Sequence, residues 1–205
     1  MSMKPILFNT DMVKAILDGR KSCTRRIVKF LPGKNPNWTG YIKDGNMLYN
    51  GTNEPCIKKA LYQTGDILYV RETWCKGLER YIYRADYSDT EKFYRDGKEI
   101  NMKWHPSLHM PKDAARIILR VTNVRVERLQ DITVEDALAE GMDKYIRLNG
   151  ELDENSIITS FIGIWNSTIK KSNLDFYGWD ANPNVWVIEF ERCNKPEREG
   201  QYDGE

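Results

Sequence analysis

At 205 residues the chain suits one domain with insertions, and its 30% of charged residues predicts a well-solvated surface. The formal net charge of +1 excludes nucleic-acid binding through whole-molecule charge, so any such binding requires a local patch. No apolar run approaches the roughly 20 residues that cross a bilayer, and we expect a cytoplasmic protein with no membrane partner.

The N-terminal segment is predicted to fold as a strand followed by a helix. Residues 5–8 favour a short strand, and Thr10 can cap a helix whose apolar positions recur on one face. Gly19 is expected to end this helix, because glycine enters the left-handed conformation at little cost. A basic segment, residues 20–29, follows directly and is predicted to form a turn and its exit.

The middle of the chain combines strands with two predicted insertions. Residues 31–62 are rich in Pro, Gly, Asn and Lys, which indicates an insertion on the surface. Residues 67–74 are mostly β-formers and predict a strand, with 81–85 as its partner. The second insertion covers about 87–111 and contains a small hairpin at 93–100.

The C-terminal part supplies the longest predicted elements. Residues 116–126 favour one bent strand or a strand pair, and Thr133 can cap a short helix that Gly141 ends. Apolar residues recur at helical spacing over 154–169, whereas 185–190 is a continuous apolar run typical of a buried strand.

These elements favour an α+β fold. Strands outnumber helices without alternating with them, and a small mixed β-barrel flanked by helices fits best. We expect a single domain over residues 1–193, with Trp165 and Trp186 in its core, and a frayed charged tail over 194–205. Oligomeric state does not follow from the pattern.

The basic segment is the first candidate site. Its cations are Arg20, Lys21, Arg25, Arg26 and Lys29. They predict either a local anion site or an ordinary solvated loop. Thr24 lies three residues after Lys21, so its hydroxyl is a candidate nucleophile beside an amine, or a turn residue that bonds its own backbone.

Glu140 is the second unusual residue. It lies in the last turn of its predicted helix, where the helix dipole favours cations over carboxylates. Helix stability therefore does not explain this glutamate, and the choice is between a functional carboxylate and a surface residue.

The order of the motifs resembles the ASCH domain family, which shares the PUA-like barrel. The matching segments are Ile16-Leu17-Asp18-Gly19-Arg20-Lys21-x-x-Thr24-Arg25-Arg26, Gly65-Asp66-x-Leu68, Leu129 to Met142, and Val187-Ile188-Glu189-Phe190. The longer ASCH proteins of phages and prophages are more similar still. Their hallmarks occur in this chain as Tyr69-Val70-Arg71-Glu72-Thr73-Trp74, Tyr83-Arg84-Ala85-Asp86, His109-Met110-Pro111 and Trp179-Asp180-Ala181-Asn182-Pro183.

The resemblance implies an activity and its residues. Small bacterial members are amidohydrolases that remove the acetyl group from the exocyclic amine of acetylated cytidine, using a Lys, a Thr and a Glu. These residues fall on Lys21, Thr24 and Glu140. Other members resemble RNA-binding modules or act as ribonucleases. We therefore expect an amidohydrolase that needs no cofactor or metal and binds a nucleoside or single-stranded RNA; the alternatives are a non-catalytic RNA-binding module and a metal-independent ribonuclease.

Two mechanistic assignments stay open at this point. In one, Lys21 is neutral and acts as the base, while Glu140 orients it or protonates the leaving amine. In the other, Lys21 stabilises the oxyanion as a cation, while Glu140 activates Thr24 or a water. The candidate residues for binding substrate or RNA are Arg20, Arg25, Arg26, Tyr69, Arg71 and Trp74. An aromatic side chain stacked on a base contributes ~1–3 kcal/mol.

Two other chemistries are set aside. His105 and His109 have metal-ligand spacing for a helix, but Pro106 and Pro111 oppose a helix there and no third ligand is near in sequence. The four cysteines include no CxxC pair and are expected to be free thiols. The basic segment is expected to lower the pKa of Cys23, but no histidine is near in sequence to activate it.

Overall fold

The computed structural model describes residues 3–34, 38–43, 46–142, 147–148 and 151–196. Most of the predicted frayed tail, from 197 to 205, lies outside the described residues. Within them the predicted α+β class is confirmed, because one mostly antiparallel five-stranded sheet packs against helices.

Short strands outnumber helices in the part of the chain that the structure describes. The strands are β1 (Lys4–Leu7), β2 (Cys23–Ile27), β3 (Tyr41–Lys43), β4 (Met47–Tyr49), β5 (Ile67–Arg71), β6 (Trp74–Lys76), β7 (Tyr81–Tyr83), β8 (Phe93–Arg95), β9 (Lys98–Ile100), β10 (Ile118–Arg128), β11 (Arg147–Leu148), β12 (Glu151–Leu152) and β13 (Asn184–Cys193). The α-helices are α1 (Thr10–Leu17), α2 (Val134–Ala139), α3 (Glu154–Thr168) and α4 (Leu174–Tyr177). Short 3-10 turns cover Arg84–Asp86, Ser107–His109, Lys112–Ala114, Leu129–Asp131 and Lys171–Asn173.

The main sheet has the strand order β1-β5-β10-β13-β2. Only the β1–β5 pair is parallel; the other three neighbouring pairs are antiparallel. β10 is one strand with a bulge between Val121 and Asn123, which accounts for the bend expected there. The remaining strands form separate two-stranded hairpins.

β13 is buried on both faces, which explains its continuous apolar sequence. Trp186 and Ile188 belong to a core cluster with α1 and β5, while Val185 and Val187 pack with α2 and α3 on the other face. Trp165 also lies in the second cluster, so both tryptophans assigned to the core are confirmed there. The strand thus separates two hydrophobic layers and fixes β2 at the sheet edge.

The two edges of the main sheet come close together, although a closed barrel is not shown. Its hydrogen-bonded order ends at β1 on one side and β2 on the other. Arg26 on β2 nevertheless donates from Nη2 to the carbonyl of Leu7 on β1, at 3.0 Å. A side chain, rather than a ladder of backbone bonds, therefore joins the two edge strands.

Several predicted boundaries need correction. Asn9, not Thr10, caps α1, because its side chain accepts a hydrogen bond from the amide of Met12. Gly19 does adopt a left-handed conformation, with φ of 76°. The strand predicted at 67–74 ends at Arg71. The predicted partner at 81–85 contains β7, which pairs with the short β6 and not with β5.

The segment at 31–62 is not simply a surface insertion. Leu48, Cys56, Ile57 and Tyr62 are buried and belong to the first core cluster. The polar composition of the segment hides these contacts, since its few apolar residues are spaced without a regular period. Within this segment β3 pairs with β4 in a hairpin, and β3 is the exposed strand of that pair.

The described ranges contain neither a membrane-spanning helix nor a metal cluster. No helix there combines the length and apolar character that a membrane crossing requires. No cluster of three or more His, Cys, Asp or Glu side chains in the same ranges is arranged to hold a metal ion.

Candidate functional site

The basic segment is an edge strand rather than a turn. Thr24, Arg25 and Arg26 all lie on β2, which pairs with β13 from Cys23 to Ile27. The turn comes earlier, around Gly19, and brings the chain back so that Lys21 forms a β-bridge with Glu140. Strand β2 therefore holds Thr24, Arg25 and Arg26, while the isolated bridge holds Lys21 against Glu140.

Lys21 and Glu140 form a buried ion pair. Lys21 Nζ lies 2.6 Å from Glu140 Oε2, and both side chains are almost fully inaccessible to solvent. The same ammonium donates to the carbonyls of Cys23, at 2.8 Å, and Glu140, at 3.0 Å. All three N–H bonds of the lysine are thus satisfied, which is the arrangement that a buried cation requires.

Arg25 is packed against acidic side chains behind the strand. Its Nε and Nη2 donate to Glu127 Oε1 at 3.1 and 2.5 Å, and Nη2 also donates to Asp136 Oδ2 at 2.7 Å. Burial alone would lower the pKa of Arg25, but the charges of Glu140 and Glu127 outweigh it and raise that pKa above its ordinary value. Arg25 is therefore a fixed cation next to Glu140.

Thr24 is held by Arg26 rather than by Lys21. Its hydroxyl oxygen accepts a 2.7 Å hydrogen bond from Arg26 Nη1, and the residue is fully buried. Arg26 also lies over the ring of Phe8 and has no carboxylate within ion-pair distance among the described residues. Burial lowers the pKa of Arg26, and the charge of Glu140 opposes that shift. The site thus contains two units: the Lys21–Glu140 ion pair, and Thr24 with Arg26.

The two units meet at a cleft of about 490 Å³. Its polar wall contains Thr24, Arg25, Arg26 and Glu140. Apolar residues from the N-terminal segment and α3 form most of the rest, including Phe8, Met12, Phe161, Ile164 and Trp165. This volume and this mixture of an apolar wall with a few polar groups are typical of small-molecule sites.

The structure separates three predicted binding residues from this lining. Trp74 packs against His105 and Tyr81, and Tyr69 belongs to the same cluster. Arg71 donates to the carbonyls of Leu108 and Met110. These three side chains hold the segment around 105–110, from which Pro106 and Ser107 reach the cleft.

The remaining predicted binding residue, Arg20, lies beside a second cleft of about 320 Å³. Its guanidinium bonds Asp18 Oδ2 through Nε at 3.2 Å and Nη2 at 2.9 Å. The two clefts share five wall residues, among them Met12 and Glu140. Because Arg20 and Arg25 are both paired with carboxylates, the basic segment presents much less positive potential than its sequence suggests.

Cys23 is unsuited to act as a nucleophile. Burial, followed by the charge of Glu140, raises the pKa of its thiol to about 12. The lowering that the neighbouring basic residues suggested is therefore wrong, since the nearby cations face carboxylates and the thiol itself is buried.

Sequence reasoning misses several residues of the site. Asp136 and Glu127 look like ordinary helix and strand residues in the sequence, yet they fix Arg25. The helical spacing of apolar residues on α3 correctly predicts that Phe161 packs in the core, but it does not reveal that the same ring also lines the cleft. These residues reach the site because distant elements of the chain pack together, and the local sequence pattern contains no signal for such contacts.

Comparisons with known proteins add little. No protein-family model matches the chain, and no curated protein matches it. Among solved structures, it is similar to protein EF3133 from Enterococcus faecalis, a protein of the family model DUF984, with 11% identity and a TM-score of 0.45. That similarity covers 98% of this chain and 88% of the other. It is too weak to identify a function.

Proposed function

We propose that the protein is a cytoplasmic amidohydrolase that removes the acetyl group from the exocyclic amine of acetylated cytidine, as its resemblance to the ASCH family implies. The observation that carries the proposal is the buried Lys21–Glu140 pair beside Thr24, at the wall of an apolar cleft. A buried ion pair adds little stability compared with apolar packing, so its position at a cleft favours a chemical role. The main sheet would correspond to the family's PUA-like barrel.

Hydrogen bonding favours the part of the second assignment that makes Glu140 the base, but it leaves Lys21 no free N–H bond with which to stabilise an oxyanion. Lys21 uses its three N–H bonds on three oxygen acceptors, so no lone pair is available for it to act as a base. Glu140 Oε1, in contrast, accepts no hydrogen bond from the described residues. We therefore assign the base to Glu140 and give Lys21 the role of a cation that fixes this carboxylate.

The reaction then proceeds in two balanced halves. Glu140 takes the proton of the Thr24 hydroxyl as its oxygen attacks the amide carbonyl, while Arg26 stabilises the alkoxide through its bond to that oxygen. The carbon–nitrogen bond breaks as Glu140 returns the proton to the amine, which releases cytidine and leaves an acetyl ester on Thr24. Water, deprotonated by Glu140, hydrolyses the ester to acetate and restores the threonine.

Charge pairing argues against the non-catalytic RNA-binding module. Lys21, Arg20 and Arg25 are all bound to carboxylates. RNA phosphates would have to displace those partners, and Glu127 and Asp136 beside the strand would repel them. An uncharged nucleoside avoids this cost, which also disfavours the ribonuclease.

Chromatography of acetylated cytidine incubated with purified protein tests the proposal. Wild-type protein should release cytidine, whereas Thr24→Ala should lose at least about a hundredfold in rate, the lower end expected for removing a nucleophile or its activation. If Thr24→Ala retains the rate, Glu140 activates a water directly and Thr24 is not the nucleophile. If wild-type protein releases no cytidine but cleaves or binds RNA, the amidohydrolase assignment is wrong.

A further inference from the structure

Two polar atoms of residues that line the cleft lack hydrogen-bond partners. They are Arg25 Nη1 and Glu140 Oε1, both buried and without a partner among the described residues. The two atoms lie 3.5 Å apart, well beyond the 2.7–2.9 Å or so of a charge-assisted hydrogen bond. A donor and an acceptor therefore stand side by side, and both residues line the cleft.

Their other contacts prevent the two side chains from closing onto each other. Arg25 is held through Nε and Nη2 by Glu127 and Asp136. Glu140 is held through Oε2 by Lys21, at 2.6 Å. Each side chain is therefore held through its other polar atoms, and only Arg25 Nη1 and Glu140 Oε1 are left without a hydrogen bond. Buried polar atoms of this kind need an explanation, and a ligand that supplies both missing partners provides one.

The pattern selects one kind of ligand edge. A neighbouring donor and acceptor fit a group that presents an acceptor next to a donor, pointing the same way. A trans secondary amide does not fit, because its N–H and C=O point in opposite directions. A 4-aminopyrimidine does: its ring nitrogen accepts and the adjacent exocyclic amine donates. Uracil presents the reverse order, with a ring N–H beside a carbonyl.

We propose that Arg25 and Glu140 together bind the 4-aminopyrimidine edge of cytosine. Arg25 Nη1 donates to the ring nitrogen, and Glu140 Oε1 accepts from the exocyclic N–H, a contact that carboxylates make with cytosine. Phe8 and Phe161 line the same cleft and offer ring faces against which the base can stack. The inference rests on the proposed function for the location of the site, and it gives the candidate binding residue Arg25 a specific contact, the ring nitrogen of the base.

Titration calorimetry on wild-type protein with three nucleosides tests this pairing without any substitution. Cytidine presents both groups, 3-deazacytidine lacks only the ring acceptor, and uridine reverses the pattern. We expect cytidine to bind at least about tenfold more tightly than either analogue. In Arg25→Lys, which keeps a cation next to Glu127 and Asp136, the preference for cytidine over 3-deazacytidine should disappear.

The outcomes separate this inference from the proposed function. Equal affinity for cytidine and 3-deazacytidine, or no cytidine binding at millimolar concentration, would overturn the role of Arg25 even if acetylated cytidine is hydrolysed. Selective cytidine binding without hydrolysis would support the pair and refute the amidohydrolase. Should Arg25→Lys fail to fold, a structure of wild-type protein with cytidine decides: Arg25 Nη1 either contacts the ring nitrogen or does not.

Discussion

At the scale of single residues, the proposed chemistry depends on the Lys21–Glu140 pair. The pair couples residues 119 positions apart, and neither charge has access to solvent that would replace its partner. Removing one charge leaves the other buried without its closest partner, which costs far more than removing both.

Single and double substitutions should therefore differ sharply in stability. Lys21→Met and Glu140→Gln should each lower the free energy of unfolding by about 3–5 kcal/mol, and the double variant should lose much less than their sum. Urea denaturation followed by tryptophan fluorescence measures this. Additive losses would show that the two charges do not interact.

A control for these variants is available elsewhere in the chain. Arg116 forms the ion pair of the buried Glu72, with Nε to Oε1 at 2.9 Å, and neither lines the cleft. Arg116→Met should destabilise the protein but leave the turnover of its folded fraction unchanged. A fall in that turnover would mean that destabilisation alone accounts for lost activity.

Cys23 gives a second residue-scale prediction. Because burial raises the pKa of its thiol to about 12, Cys23 should resist iodoacetamide in the native protein at about pH 8, where the partly exposed Cys75 reacts. Mass spectrometry of tryptic peptides distinguishes the two sites. Equal alkylation of both cysteines before unfolding would show that the thiol is accessible.

At the scale of elements, Gly141 determines where α2 stops and how Glu140 meets Lys21. Its φ is 90°, and a β-carbon added there would lie 2.9 Å from that of Ala15 on α1. Gly65 has a similar φ of 88°, but no heavy atom lies within 4 Å of the same position. A substitution at Gly65 therefore tests backbone strain alone, whereas the same substitution at Gly141 tests backbone strain together with a steric clash.

Gly141→Ala should cost more than Gly65→Ala. Both variants incur the strain of a left-handed alanine, about 1–2 kcal/mol, and only Gly141→Ala adds the clash with α1. Because relief of that clash displaces Glu140, it should also lower the rate of acetylcytidine hydrolysis. Thermal unfolding and the chromatographic assay measure the two effects; equal unfolding losses would contradict the close approach.

The elements best predicted from the sequence are those with a clear hydrophobic pattern. The helix at 154–169 and the strand at 185–190 follow from helical spacing and from a continuous apolar run. β2 is not predicted, because its sequence CTRRI shows no apolar alternation. Its arginines are stabilised by carboxylates and carbonyls from distant elements, which a local pattern does not reveal.

Some residues of the site can be anticipated from the sequence, and others cannot. The helix dipole singles out Glu140, and the structure places its carboxylate in the interior against Lys21, so Glu140 is not the surface residue of the alternative interpretation. The inward position of Arg25 cannot be anticipated, since charge density alone suggests a solvated basic surface. Tyr69, Arg71 and Trp74 are grouped with the site by motif, yet their contacts serve the neighbouring segment.

At the scale of the whole molecule, the buried ionisable groups predict a loss of stability in alkali. The pKa of Cys23 rises from 9.0 to about 12 on folding, and burial also raises the pKa of Tyr62. A raised pKa means that the folded state keeps its proton while the unfolded chain loses it. The stabilisation is therefore complete below pH 9 and declines as the pH rises towards 12.

Urea denaturation between about pH 8 and pH 11 tests this expectation. Wild-type stability should fall with pH, and Cys23→Ala should fall less steeply, since each unit of pKa difference corresponds to ~1.4 kcal/mol. Parallel curves for the two proteins would show that Cys23 does not keep its proton on folding.

The central claim is that the buried pair at the cleft performs amide hydrolysis on acetylated cytidine. The most direct measurement is the initial rate of cytidine release by wild-type protein and by the Lys21→Met, Glu140→Gln double variant, each normalised to its folded fraction. We expect release by wild-type protein and none above background by the stable, folded double variant. Equal rates for the two proteins would contradict the claim.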